Sequence, residues 1–112
     1  MSVVGYGQNL TIFIVVSYTD KILDTIRDLK PELKTKYFVD SIGLFGSVVR
    51  DDFSPSSSDV DIIVAFSKPV GVEFIDLAEF LESKIQRKID LVSANGIKPK
   101  YLDQLQSEIV YA

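Results

Sequence analysis

Three aspartates and a Gly-Ser pair carry the chemistry latent in this chain. Asp59 and Asp61 stand one residue apart at the head of an apolar run, Ile62-Ile63-Val64-Ala65-Phe66. Asp90 sits inside a second, shorter run, Ile89-Asp90-Leu91-Val92. In a strand, residues two apart share a face, so Asp59 and Asp61 project side by side. Like charges held that close resist ionising together. Such a pair asks for a cation between the carboxylates or for a mechanistic use. If the strand bearing Asp90 lies beside the strand bearing the pair, three carboxylates gather on one sheet face. Three carboxylates can hold two hard cations ~4 Å apart, as two-metal phosphoryl-transfer sites do. One cation would orient a nucleoside triphosphate. The other would activate an attacking hydroxyl, with Asp90 as the local base. Taken singly, each aspartate is more often a solvated surface residue; the combination carries the weight.

Gly46-Ser47 closes the apolar run Ser41-Ile42-Gly43-Leu44-Phe45. Glycine lets backbone approach a phosphate closely. Ser47 adds a hydroxyl and a backbone N–H. Arg50 offers a fork of donors that suits a triphosphate. It reads equally well as a solvated loop residue paired with Asp51 or Asp52. Ser54-Pro55-Ser56-Ser57-Ser58 reads as a flexible surface loop rather than a phosphate site.

Two absences prune the alternatives. The 112 residues include no Cys and no His. That excludes thiolate nucleophiles, zinc-thiolate centres, histidine bases and Ser-His-Asp triads. Any metal must sit on oxygen ligands, which favour Mg²⁺, Mn²⁺ or Ca²⁺. The net charge of −4 argues against nucleic acid as a direct partner, because phosphate backbones want a basic face. Nucleotides remain open, since metal ions can meet their charge. The absence of Cys fits a reducing compartment, and the expected location is cytoplasmic.

The elements that must position these residues follow from periodicity. Ile22, Leu23, Ile26, Leu29 and Leu33 recur at helical spacing behind Thr19 or Asp20 as the cap. Pro31 should end or kink that helix near Leu29–Lys30. Val39 to Phe45 and Val60 to Phe66 read as core strands, the second with Val60, Ile62, Val64 and Phe66 facing inward. Phe74, Leu77, Ala78, Leu81 and Ile85 mark an amphipathic helix. Ile89 to Val92 reads as a third strand, parallel to the second across that helix. Tyr101, Leu102, Leu105 and Ile109 form a last helix behind Pro99. Leu10 to Val16 is apolar and β-branched, too short to span a membrane and with no basic residue before it. It reads either as an added N-terminal edge strand or as an extension loosely tied to the fold. The expected architecture is α/β, of the α+β kind. A small mixed sheet of about three core strands is packed by helices on one face. Residues 1–18 form an extension and 19–112 the domain, and 112 residues suffice for one core.

The composite pattern of Gly46-Ser47, then Asp59-x-Asp61, then a later strand aspartate at Asp90 resembles the DNA polymerase β-type nucleotidyltransferase superfamily. Leu44-Phe45-Gly46-Ser47-Val48, Ser58-Asp59-Val60-Asp61-Ile62-Ile63-Val64, Lys88-Ile89-Asp90-Leu91-Val92 and Glu108-Ile109-Val110-Tyr111 resemble its smallest branch, the minimal nucleotidyltransferase (MNT) proteins. The resemblance covers about Asp20 to Ala112. The gap between the Gly-Ser and aspartate elements is one residue longer than the branch suggests, and Asp51-Asp52 stands where a Gly is often found. The resemblance implies the nucleotidyltransferase fold and an antitoxin paired with a HEPN-domain toxin. Its implied reaction transfers AMP from ATP to a tyrosine of the toxin with Mg²⁺ or Mn²⁺. It implies that Gly46 and Ser47 carry the triphosphate. It also implies that Asp59, Asp61 and Asp90 hold two metal ions, Asp90 also activating the hydroxyl. With no length left for an acceptor-binding domain, the acceptor is expected to be another protein. The rival readings are an antitoxin that neutralises its partner by contact alone, a small-molecule adenylyltransferase of the aminoglycoside type, and a plain α/β domain with an incidental acidic face.

Overall fold

The structure is a computed structural model that describes the backbone of residues 7–50 and 58–112 and the side chains of residues 18–50 and 58–112. Helix α1 spans Gly7–Lys36, strand β1 Val39–Phe45 and strand β2 Val60–Phe66. Helix α2 spans Val72–Ile85, strand β3 Ile89–Ser93, helix α3 Pro99–Gln106 and strand β4 Val110–Tyr111. A 3₁₀ turn, Gly46–Val49, follows β1 directly. The four strands form one mixed sheet in the order β3-β2-β1-β4. Strand β1 runs antiparallel to both β2 and β4, and β2 runs parallel to β3.

One face of the sheet is dry. Val60, Ile62 and Val64 of β2 and Leu44 of β1 are fully buried, as alternation along a half-buried strand requires. Ile22, Leu23, Ile26 and Leu33 of α1 and Leu77 and Leu81 of α2 complete the same cluster. The opposite face carries Asp61 and Ile63 on β2, Asp90 on β3, and Gly43 and Phe45 on β1. Cross-strand pairing fixes this, because Phe45 opposes Asp61, Gly43 opposes Ile63 and Asp61 opposes Asp90. Residues directly opposed in a ladder project to the same side.

Four expectations need correction. Residues from Gly7 onward belong to α1, so Leu10 to Val16 is helical and there is no N-terminal strand among the described residues. Extending an established helix costs little per residue, whereas an extra edge strand must find a partner and a register. Thr19 therefore lies inside the helix and caps nothing. Pro31 does not stop the helix, which continues to Lys36. Proline in a helix interior removes one N–H and crowds the preceding turn. Here Leu33, 1% exposed, anchors the residues beyond it in the core, and the Thr35 hydroxyl donates to the Pro31 carbonyl at 2.9 Å. The last helix is shorter than its periodicity predicts, and Tyr101 is 53% exposed rather than packed. Strand β4 has no counterpart among the elements that periodicity predicts. Among the described residues, no helix is long and apolar enough to cross a membrane.

Candidate active site

The site lies on the open face, at the end of the sheet where β1 finishes and β2 and β3 begin. Phe45 is extended, and Gly46 then turns with φ of 74°, a left-handed conformation that side chains resist. A Cβ on Gly46 would collide with the Asp61 carboxylate. The Gly-Ser turn is thus folded directly against the aspartate of the neighbouring strand, and glycine is needed twice over: for the turn and for the approach.

The turn is bolted from behind. Val48 is fully buried, and its carbonyl accepts a hydrogen bond from the Thr19 hydroxyl of α1. The Arg50 N–H closes the turn on the Ser47 carbonyl at 3.1 Å. Ser47, half-buried, is held at the lip of the site. The head of β2 is fixed from the other side, where Arg87 donates to the Ser58 carbonyl at 3.4 Å and packs over the Tyr18 ring. Val60 donates to the Lys88 carbonyl at 3.0 Å, which sets the register that aligns Asp61 with Asp90.

Asp61 is half-buried, whereas Asp59 and Asp90 are exposed. The Asp61 carboxyl is raised above the usual aspartate range. Burial is the largest cause, followed by the charges of Asp90 and Asp59 and a hydrogen bond with Asp90; Arg50 opposes the shift. Asp61 and Asp90 stand on directly opposed residues of β2 and β3, where a cation would satisfy both carboxylates. Asp59 lies close enough to act on Asp61 through its charge. Among the described residues, no three such side chains are gathered closely enough to close on an ion unaided. Mg²⁺ does not require that: it commonly takes one or two carboxylates and completes its shell with water and substrate phosphates. The hard oxygen donors of Asp61 and Asp90, on opposed residues of neighbouring strands, suit such an ion.

Arg50 reaches a partner that its neighbours in sequence do not suggest. Its Nη1 lies 3.3 Å from Glu108 Oε1, an ion pair that links the turn after β1 to the segment leading into β4. Asp51 and Asp52, the expected partners, and most of the Ser54–Ser58 loop lie outside the described residues. Glu108 and Thr19 are the site-supporting residues that sequence reasoning misses. Glu108 lies in a run that carries only a resemblance, and the spacing around Thr19 suggests a cap rather than a brace.

The pH dependence of stability follows from Asp61. A group whose carboxyl is raised in the folded state contributes stability fully at pH below its unfolded value. That contribution is lost as pH climbs through the raised value. Urea midpoints of the metal-free protein should therefore fall from about pH 4 upward on account of this group. Asp61→Asn should remove that component, and parallel pH profiles for wild type and Asp61→Asn would contradict it.

Residues 26–112 match a family model described as a nucleotidyltransferase domain. Protein adenylyltransferase MntA of Thermococcus cleftensis is 39% identical over 83 residues, which cover 73% of this chain and 83% of that protein. A solved structure of a candidate minimal nucleotidyltransferase is similar with a TM-score of 0.64 at 27% identity, covering 79% of this chain and 93% of the other. A chain from the complex of a tri-AMPylated Shewanella oneidensis HEPN toxin with MNT antitoxin gives a TM-score of 0.53 at 22% identity, covering 87% of this chain and 70% of that one. At that identity the last likeness is one of fold.

Proposed function

Since this chain belongs to the nucleotidyltransferase domain family and is a nucleotidyltransferase, we propose that it is an antitoxin that transfers AMP from ATP to a hydroxyl of a cognate HEPN-domain toxin, a tyrosine being the expected acceptor. The observation that carries the reading is the meeting of Asp61 and Asp90 beneath the Gly46 turn. A tight glycine turn suited to phosphate and an acidic pair share one open face.

In this reading Gly46 and Ser47 hold the β- and γ-phosphates through backbone and hydroxyl donors, and Arg50 adds charge at their edge. Asp59, Asp61 and Asp90 are the carboxylates that would hold two Mg²⁺ ions. When bound, such ions neutralise phosphate charge and lower the pKa of the attacking hydroxyl. Asp90, exposed on β3 opposite Asp61, takes the acceptor proton. The acceptor oxygen forms a bond to the α-phosphorus, the bond between the α-phosphorus and its bridging oxygen breaks, and pyrophosphate leaves. The open face leaves room for an acceptor presented by another folded protein. The MntA relative and the HEPN–MNT complex support that choice of acceptor class. The working domain in this reading is residues 19–112.

The test is transfer of label. The full chain is incubated with Mg²⁺, ATP labelled at the α-phosphate, and the product of its neighbouring gene, expected to be a HEPN protein. Label is expected on the HEPN protein, mapped to a tyrosine by mass spectrometry. Neutralisation of the toxin with no label transferred would instead establish action by contact. Label on an aminoglycoside without any protein acceptor would establish small-molecule adenylylation.

A further inference from the structure

Strand β4 places an aromatic ring on the face that carries the aspartates. Tyr111 opposes Gly43, Gly43 opposes Ile63, and Ile63 lies two residues after Asp61 on the same strand face. The ladder therefore puts the Tyr111 side chain on that face. The contact agrees: a Cβ built on Gly43, pointing out of that face, would meet Tyr111 Cδ1 at 3.2 Å and Ile109 Cγ2 at 2.6 Å. Gly43 has no side chain, and these two residues can lie against the sheet. Tyr111 nevertheless remains 49% exposed.

The spacing suits a ligand. From Asp61, Tyr111 lies two strands across and one pair of residues back, ~12 Å away by strand geometry. Along the strand axis it lies beyond the level of Asp61 on the side away from the Gly46–Ser47 turn, and across the sheet both lie on the β1 side of Asp61. A nucleotide whose β- and γ-phosphates occupy that turn and whose α-phosphate sits at Asp61 can reach Tyr111 with its nucleoside by running back along β1. The chain on either side of the ring is tied to the rest of the domain. Ala112 N–H donates to the Ile42 carbonyl at 3.0 Å, Lys30 Nζ donates to the Ala112 carbonyl at 3.0 Å, and Glu108 pairs with Arg50.

We infer that Tyr111 is the platform on which the purine base of the nucleotide stacks. Ile109 beside it forms the apolar floor under the nucleoside. The inference rests on the nucleotide reading of the site proposed above. A purely structural role, shielding the Gly43 backbone, accounts for the contact with the sheet but predicts no preference between ligands that have a base and ligands that lack one.

The experiment compares a non-hydrolysable ATP analogue with inorganic tripolyphosphate, each with Mg²⁺, by titration calorimetry on the full chain. Variants are Tyr111→Phe, Tyr111→Ala and Tyr111→Leu, the last keeping apolar contact over Gly43 without a π face. Base-on-aromatic stacking amounts to roughly a tenfold or larger affinity loss on truncation. Tyr111→Ala and Tyr111→Leu should weaken the nucleotide by about that factor and leave tripolyphosphate within about twofold, with Tyr111→Phe near wild type. Nucleotide affinity unchanged in Tyr111→Leu would overturn the stacking inference alone. Equal weakening of both ligands would overturn it in favour of a structural role. A wild type that binds neither ligand would overturn the nucleotide reading itself, and this inference with it.

Discussion

Asp61→Asn should cost transfer about two to three orders of magnitude, a typical loss when one preorganised electrostatic group is removed from a phosphoryl- or acyl-transfer site. The change is nearly isosteric. The amide would keep the packing of the half-buried side chain under Gly46 but could not neutralise an ion. The same substitution should raise the urea midpoint of the metal-free protein at neutral pH. It removes a half-buried charge that faces Asp90 and Asp59, with Arg50 offsetting them in part. Activity and stability thus move in opposite directions, the signature expected where like charges are assembled for a ligand rather than for the fold. Label transfer to the partner and paired denaturation curves measure the two effects. A variant that is both inactive and less stable would show that Asp61 serves mainly to hold the sheet together.

Gly46→Ala is expected to be nearly as severe for a different reason. An alanine at φ of 74° costs ~1–2 kcal/mol in backbone strain. Its methyl group must also displace the Asp61 carboxylate, because the two occupy the same space. Misplacing a reacting group by about an ångström can cost ~10²-fold in rate. The variant should therefore fold with a lowered melting temperature and transfer about a hundredfold more slowly. Gly71→Ala is the matched control: a Cβ there meets nothing within 4 Å. Should Gly46→Ala transfer at the wild-type rate, Gly46 would be a plain strand-ending turn with no part in placing Asp61.

Much of this architecture is written in local pattern. Strands β1 and β2 are legible end to end because alternation and flanking polar residues fix both boundaries. The parallel pairing that puts Asp61 and Asp90 on neighbouring strands follows from the order of strand, helix and strand, whereas their direct opposition is a matter of register. What local pattern cannot supply is anything depending on distant partners. The β-branched run Leu10 to Val16 looks like a strand in isolation. In the chain it adjoins a strong helix, and β-branched residues lose only tenths of a kcal/mol each when a helix continues through them. Strand β4 is two residues long, so no periodicity can reveal it; it exists because β1 offers an edge. The residue types at the site are legible, but the pressing of Gly46 onto Asp61 and the pairing of Arg50 with Glu108 are not. Both join segments separated by a loop or by most of the domain.

The pairing of Gly43 with Tyr111 also sets an order of assembly. It closes a loop of 111 − 43 = 68 residues with only two ladder pairs, whereas β1 and β2 meet across a short connection. Distant closure is entropically costly and comes late in folding. As the chain emerges during synthesis, the Gly-Ser turn and Asp61 can pair before residues 108–112 exist. A nascent domain would therefore acquire its acidic centre first and its aromatic platform last. Strand β4, held by few bonds, is also the segment expected to open most readily in the finished protein, and its amides should be among the first to exchange.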